Sequence, residues 1–181
     1  MKTISNDDLK EILRKHALWL NNDPEGEKAN LKGANLNEAD LYKADFTGAD
    51  LSKADLYKAD LYKADLRGAT IDWPLVCPEK GSFIGYKKCR NNLIVKLEIP
   101  SDALRCSATT RKCRCSKAKV LSITNLDGSA ADISTANSNY DPTFTYKIGE
   151  TVEVPNFDTN RWNECAPGIH FFITRQEAVA Y

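Results

Sequence analysis

Residues 29–73 read ANLKG-ANLNE-ADLYK-ADFTG-ADLSK-ADLYK-ADLYK-ADLRG-ATIDW, which is nine consecutive units of five residues. Ala opens every unit, Leu, Phe46 or Ile71 fills the third place, and Asp or Asn fills the second place in eight units. An α-helix repeats near 3.6 residues and a strand at 2, so neither keeps every fifth residue on one side. A chain that turns a corner once per unit does. This period therefore predicts a solenoid, in which each coil buries its apolar groups against its neighbours.

The unit pattern A(D/N)LXX resembles that of the pentapeptide-repeat family over residues 29–73. The resemblance implies a right-handed quadrilateral β-helix with four units per coil, so that the nine units make about two coils. The Asp or Asn of each unit is expected to accept a backbone N–H at the corner. Outward residues twenty apart would then stack, with Tyr42 over Tyr62 and Lys43 over Lys63. This surface is either a solvated sheet face or a binding surface.

The residues before the repeats predict a helical cap. Apolar side chains at helical spacing share one face of residues 5–20, Ser5 and Asp8 match a capping box, and the polar turn at 21–26 stops the helix. His16 lies on the apolar face and is interpreted as a packed structural histidine. Similar helical caps occur in bacterial and phage pentapeptide-repeat proteins. The cap is expected to cover the apolar end of the first coil.

The five-residue period ends at Trp73-Pro74, and a different pattern follows. Alternating apolar residues predict strands at 93–99, 119–123, 144–148 and 168–173, and Gly149-Glu150 predicts a hairpin turn into 151–154. Residues 125–142 predict a long loop, and a capping box at Thr174 opens a short C-terminal helix. The fold class is therefore mainly β, in three parts: a helical cap at 1–28, a β-helix at 29–73 and a small β-rich (α+β) domain at 74–181.

The second half resembles a domain of unassigned activity that follows pentapeptide repeats in phage and bacterial proteins. The matching stretches are GYKKC at 85–89, VKLEIP at 95–100, KCR at 112–114, YKIG at 146–149 and CAPGIHFF at 165–172. The resemblance implies an architecture and a phage or prokaryotic setting. It supplies no mechanism.

Charge and composition narrow the functional classes. The chain has 25 acidic and 25 basic residues, so no global field attracts duplex DNA or a membrane surface. The start is polar and no apolar run approaches ~18 residues. These features predict a cytoplasmic protein, in the host cytoplasm if it is viral, with its six cysteines reduced.

Cysteine and histidine offer two chemical alternatives. A tetrahedral zinc site could draw on Cys89, Cys106, Cys113, Cys115, Cys165 and His170, but the chain has no C-x-x-C knuckle. An enzyme could use Cys165 or Cys89 as nucleophile with His170 as base, but no triad order, phosphate loop or paired-carboxylate motif accompanies them. The prediction is therefore free cysteines, no metal, no cofactor and no enzymatic activity. A zinc-binding structural or interaction module is an alternative.

Residues 105–119 contain six bases and no acid, which suggests an anion site. Guanidinium groups, hydroxyls and turn N–H groups bind phosphate, and an aromatic ring can stack on a base. The candidate ligand-binding residues are Arg105, Thr109, Thr110, Arg111, Lys112, Arg114, Trp162 and His170. Arg111 and Arg114, three residues apart, are predicted to bracket one phosphate. The alternative is a solvated strand and turn whose charges protect a sheet edge.

Together these features favour a non-enzymatic binding protein, with the repeats as scaffold and self-association surface. The phage resemblance suggests counter-defence, either by sequestering a phosphorylated nucleotide signal or by blocking a host protein. The expected partners are a second copy, a nucleotide or other phosphorylated small molecule, or a host protein, and neither duplex DNA nor a membrane. DNA mimicry against a type II topoisomerase, an activity known in the pentapeptide-repeat family, is an alternative. The net charge of −2 over residues 29–73 (eight acids, six bases) argues against it, because duplex DNA carries one charge per ~1.7 Å.

Overall fold

Repeat units twenty residues apart pair through parallel backbone bridges in the computed structural model, which describes residues 2–181. The bridges join Asn30 to Asp50, Asn35 to Asp55, Asp40 to Asp60, Asp45 to Asp65, and Asp50 to Thr70. Hydrogen bonds alternate along them: Leu31 N donates to Asp50 O at 2.7 Å, and Asp50 N donates to Ala29 O at 3.0 Å. Each unit is therefore tied to the unit four places further along the chain.

The corners between units share one local structure. The second-place Asp or Asn accepts a hydrogen bond from the fourth-place N–H in eight successive units, at 2.9–3.2 Å, as the sequence predicts. The fifth-place residue has a positive φ of 57–74° in every one of these units. Three of the fifth places are Gly, and the others are Glu38, Lys43, Lys53, Lys58 and Lys63. The same left-handed turn therefore recurs at Gly48 and Gly68 and at the fifth places that are not glycine.

The apolar places point into the repeat core. Third-place side chains from Leu31 to Leu61 are buried, whereas Leu66 and Ile71 are partly exposed. Helix α1, Asn6–Leu20, starts after Ser5, whose hydroxyl accepts the Asp8 N–H at 3.1 Å, which confirms the predicted helix. Strand β1, Lys2–Thr3, pairs in parallel with β2, Ala34–Asn35. The predicted cap begins at residue 1, which lies outside the described residues.

His16 is packed as predicted. It is fully buried and stacks on Trp19, with 5.4 Å between ring centroids. Its Nδ1 accepts the Ala29 N–H at 3.1 Å, and burial lowers the pKa of the imidazole. This neutral histidine therefore ties the helix to the first repeat.

The chain divides after Pro74, and residues 75–181 form a second unit with its own core. An antiparallel sheet has the order β10-β7-β4-β3, formed by Thr151–Glu153, Lys117–Asn125, Leu93–Ile99 and Phe83–Cys89. A second antiparallel sheet has the order β11-β6-β5, formed by Ile169–Phe171, Cys113–Cys115 and Arg105–Ser107. The strands β8, Thr135–Asn137, and β9, Thr145–Lys147, pair with each other. A 3₁₀ turn spans Arg90–Asn92, and helix α2 spans Arg175–Ala180.

The helix and most strands predicted in the second unit are confirmed. The α2 capping box between Thr174 and Glu177 is present in full. The predicted hairpin at Gly149-Glu150 is wrong, because β9 pairs with β8 whereas β10 pairs with β7. Gly149, with φ 86°, turns the chain from one sheet to another. The predicted loop at 125–142 contains β8. Among residues 2–181, no helix has the length and apolar character needed to cross a bilayer.

Candidate functional site

Two of the arginines predicted to bind phosphate, Arg105 and Arg114, donate to backbone carbonyls within residues 75–181. Arg105, on β5, donates to the carbonyl oxygens of Pro100 at 2.6 Å, Gly81 at 2.7 Å, Ala103 at 3.2 Å and Pro78 at 3.3 Å. Its guanidinium also lies over the Phe83 ring, at 5.1 Å. These contacts occupy the planar donor set that would otherwise grip a phosphate. Arg105 therefore holds two irregular segments against β5.

Arg114, which the sequence assigned to the phosphate site, is enclosed within residues 75–181. It lies in the middle of β6 and is 2% exposed. Its Nη1 donates to Asp158 O at 3.0 Å and Pro167 O at 2.9 Å, and its Nη2 donates to Asn160 O at 2.9 Å. A buried charge is tolerated only when such hydrogen bonds replace water. Arg114 thus anchors the loop at 158–167 and has no open side for a ligand.

Arg111 does not share a site with Arg114. Its Nε donates to Glu177 Oε1 at 2.6 Å, at the start of α2, and half of its side chain is exposed. Arg111 precedes β6, whereas Arg114 is enclosed within that strand. The two arginines therefore have different partners, and the structure does not bring them together as the predicted phosphate clamp.

Glu164 brings together three other predicted site residues. Its Oε1 accepts from the N–H and the hydroxyl of Thr110, at 3.0 and 2.7 Å. Its Oε2 lies 3.8 Å from Lys112 Nζ, and its backbone oxygen accepts from His170 Nε2 at 2.9 Å. The carboxylate occupies the position that a phosphate would need beside Thr110 and Lys112. Sequence reasoning missed Glu164, which has no nearby charge pattern to mark it.

The remaining predicted residues are also enclosed. Thr109 and Trp162 are buried, and the Arg161 guanidinium already lies 4.6 Å from the Trp162 ring centroid. Lys117 Nζ bonds Asp102 Oδ2 at 2.6 Å. Five of the six bases of residues 105–119 each contact an acceptor. Lys119 is exposed, and the contacts described for residues 2–181 give it none. The segment is therefore a set of internal ties with little free positive charge.

The environment of His170 makes the second unit sensitive to acid. Burial removes the imidazole from water and lowers the pKa of His170 from 6.5 to about 4. The hydrogen bond with the Glu164 carbonyl opposes this shift, and the positive charges of Lys112, Lys87 and Arg114 add to it. The unfolded chain binds its proton near pH 6.5, and the folded chain only near pH 4. The stabilisation is complete above pH 6.5 and falls between pH 6.5 and about 4.

We expect the second unit to lose up to about 3 kcal/mol of unfolding free energy over this window. Urea unfolding at several pH values between 7 and 4, followed by hydrogen exchange of the β4 amides, measures the loss. His170→Gln keeps a donor for the Glu164 carbonyl and should flatten the profile. An equal slope in wild type and variant would assign the acid sensitivity to other groups.

The six cysteines are free thiols, five of them buried and Cys165 exposed. Lys112 Nζ lies 3.8 Å from Cys165 Sγ, but His170 turns its Nε2 to the Glu164 carbonyl and offers Cys165 no base there. Across residues 2–181, no three His, Cys, Asp or Glu side chains are grouped so that they could hold a metal ion. Among the described residues, the cysteines and His170 are thus not grouped as ligands of one metal ion.

A cleft of about 410 Å³ lies beside strand β8. Its lining residues are Arg90, Asn91, Leu93, Ile133, Thr135, Ala136, Asn137 and Pro142. Arg90 is the one charged group among them, and the lining has no nucleophile with a base. The cleft therefore offers space without a catalytic arrangement.

The repeats carry exposed tyrosines and lysines at two neighbouring corners, with Tyr42, Lys43, Tyr62 and Lys63 at one corner and Tyr57 and Lys58 at the other. Together we call these six residues the Tyr–Lys face. The predicted stacking of Tyr42 over Tyr62 is confirmed, with ring centroids 6.0 Å apart and planes 15° apart. Each lysine ammonium lies over the ring of the tyrosine that precedes it, at 4.9, 5.4 and 5.3 Å along the chain. The three tyrosines are 44%, 40% and 38% exposed. Their rings are held in place while remaining open to solvent.

Known protein families match two segments of the chain. Pentapeptide repeats match residues 29–69 in eight copies, so this segment is of the pentapeptide-repeat class. The family described as "Family of unknown function (DUF5758)" matches residues 73–178, which is more than half of the chain. The chain therefore belongs to the DUF5758 family.

One related protein comes from a virus. The protein L223 of Acanthamoeba polyphaga mimivirus, described as uncharacterized, is 41% identical over 96 residues, which cover 49% of this chain and 61% of the relative. The match thus spans about three-fifths of that relative's length. Its source is a mimivirus, whereas the sequence suggested a phage or prokaryotic setting. No solved structure matches.

Proposed function

We propose that this is a non-enzymatic binding protein that holds a protein partner on the Tyr–Lys face of its repeats. The exposed, pre-ordered tyrosines carry the proposal. Tyrosine is enriched in protein interfaces and at their hot spots, since it buries a large ring and still offers a hydroxyl. Rings already fixed by stacking and by lysine contacts lose little conformational entropy on binding.

The scaffold in this proposal is a right-handed quadrilateral β-helix of about two coils. Parallel bridges with a constant twenty-residue offset support four units per coil, and the recurring positive φ at each fifth place supports one corner per unit. The handedness follows from the resemblance to the pentapeptide-repeat class. Such a scaffold presents residues from successive coils at the ~4.8 Å spacing of neighbouring strands.

Blocking a host protein is the form of counter-defence that we favour, in the host cytoplasm of a virus-infected cell. The mimivirus source of a relative supports a viral setting. Sequestration of a phosphorylated nucleotide is less favoured, because a phosphate would have to displace Glu164 from Thr110 and Lys112, or Glu177 from Arg111. Self-association through the same face makes a second copy the alternative occupant.

The test compares Tyr42→Ser/Tyr57→Ser/Tyr62→Ser with Leu104→Ser/Ile133→Ser/Tyr140→Ser, a control that removes three exposed side chains from the second unit. A host protein captured by wild type and identified by mass spectrometry is purified, and its affinity for each variant is measured by calorimetry. We expect at least a tenfold loss for the tyrosine variant and less than twofold for the control. Circular dichroism checks that both variants are folded.

Two results would contradict the proposal. Equal affinity of the partner for the tyrosine variant and wild type would remove the Tyr–Lys face. Native mass spectrometry of freshly purified protein that shows a carried-over nucleotide would favour sequestration. A concentration-dependent dimer that the tyrosine variant abolishes would instead identify the occupant as a second copy.

A further inference from the structure

We propose that Cys77 and Cys113 form a reversible intrachain disulfide by exchange with a low-molecular-weight disulfide such as oxidised glutathione. This inference is independent of the Tyr–Lys face. It concerns two cysteines of the second unit that lie together in the core, although neither one belongs to the candidate site described above.

A hydrogen bond at Val76 and the register of strands β5 and β6 bring the two cysteines together. Val76 N donates to Ser107 Oγ at 2.8 Å, and Ser107 is the direct cross-strand partner of Cys113 in the β5–β6 pair. Residues opposite each other in an antiparallel pair place their side chains on the same face of the sheet. The contact at Val76 therefore delivers the next residue, Cys77, to the face that carries Cys113. Both side chains belong to one buried apolar cluster.

The two sulfurs are chemically unequal. The neighbouring Cys113 thiol lowers the pKa of Cys77, and the charges of Arg105 and Arg161 act in the same direction against burial. The neighbouring Cys77 thiol, together with burial, raises the pKa of Cys113. Burial raises the pKa of Cys89 to about 11 and also raises that of Cys106. Cys77 is thus the buried thiol best suited to be the attacking thiolate.

The exchange balances in two steps. The Cys77 thiolate attacks one sulfur of the small disulfide, which forms a mixed disulfide and releases one small thiolate. Cys113 then loses its proton to that thiolate and attacks the Cys77 sulfur, which releases the second small thiolate. The product is one Cys77–Cys113 disulfide. The two electrons leave with the two small thiols, and the protons come from the two cysteines.

Local opening gives the reagent access to the buried pair. Cys77 is 2% exposed, but residues 75–82 contain no helix or strand. Hydrogen bonds hold this segment from Val76 N to Ser107 and from Arg105 to the carbonyls of Pro78 and Gly81. Segments with few ties open at a fraction of the global unfolding free energy. The closed disulfide would fasten this segment to β6 across 36 positions of the chain. A loop of that length should raise the melting temperature of the second unit by roughly 5–15 °C.

The test uses the full chain with Cys165→Ser, which removes the exposed thiol and with it most intermolecular exchange. The protein is equilibrated in a glutathione buffer with the oxidised form in excess, quenched with acid and alkylated. Peptide mapping should show one linked pair, Cys77–Cys113, with two of the five remaining thiols lost. Thermal melting should show the rise, and dithiothreitol should reverse it.

Matched variants assign the bond. In the same background, Cys77→Ser and Cys113→Ser should each abolish the two-thiol loss, whereas Cys106→Ser, which removes another buried thiol, should retain it. The proposal is overturned if all five thiols persist, or if the linked pair contains Cys89, Cys106 or Cys115. Retention of the two-thiol loss by Cys77→Ser would overturn it as well. Peptide mapping of the parent needs neither core variant to fold.

Discussion

Leu51→Asp is expected to unfold the whole block of repeats at residues 29–73 at room temperature, while residues 75–181 stay folded. Leu51 is almost fully buried in the middle of the repeats, and its N–H bonds Thr70 O at 2.8 Å. Removing the leucine side chain costs about 2–5 kcal/mol, and a carboxylate buried without a partner adds several more. The sum approaches the whole stability of a small domain, about 5–15 kcal/mol.

Asn37→Asp is the control for this prediction. It adds the same charge at an exposed place of the repeats, and it should change the melting temperature by only a few degrees. Circular dichroism and amide hydrogen exchange are the measurements. Leu51→Asp should remove protection over residues 29–70 and leave β4 protected, because β4 belongs to a separate core. Wild-type protection of the repeats in Leu51→Asp would contradict the inward placement of the third residue.

The repeats could be predicted in detail because their determinants are local. The corner hydrogen bond joins residues two apart, so the second-place Asp or Asn could be assigned from one unit alone. The positive φ of every fifth place was harder to foresee. Lysine at Lys43 and Lys63 gives no sign of a left-handed backbone, and stacking of whole units imposes it there.

The candidate site could not be predicted, because its partners come from distant parts of the chain. Glu164 reaches Thr110 and Lys112 across more than fifty residues, and Glu177 reaches Arg111 across 66. A run of bases therefore looked unpaired in the sequence. Cys113 and Cys115 flank Arg114 and alternate with it, which indicates a strand, but nothing local showed that Arg114 itself is covered by residues 158–167.

Strand β3 had no clear strand signal in the sequence. Tyr86, Lys87 and Lys88 interrupt its apolar pattern, and only Gly85 and Cys89 of this strand are buried. Gly85 has a packing role there: a Cβ at this position would lie 2.6 Å from the Phe171 ring. Both facts depend on the second sheet, which the sequence does not place.

Arg114→Met is expected to destabilise the second unit by about 3–5 kcal/mol. The substitution keeps most of the apolar volume and removes the three charge-assisted hydrogen bonds to the carbonyl oxygens of Asp158, Asn160 and Pro167. Asp158 O would then lose its donor, whereas Asn160 O and Pro167 O would keep only the bonds from Asn163 N at 3.2 Å and Asp158 N at 3.3 Å. Relief of the buried charge offsets part of the loss, but not the cost of losing three charge-assisted hydrogen bonds.

Arg111→Met is the matched control, because it removes the same functional group from the exposed end of the same segment. Its ion pair with Glu177 is half exposed, so the loss should be about 1 kcal/mol or less. Urea unfolding, followed by hydrogen exchange of β4, measures both variants. If Arg114 served a ligand and not the loop, Arg114→Met would keep wild-type stability and lose only binding. A loss of stability confined to Arg114→Met would instead mean that this segment holds the domain together, and that recognition lies elsewhere on the protein.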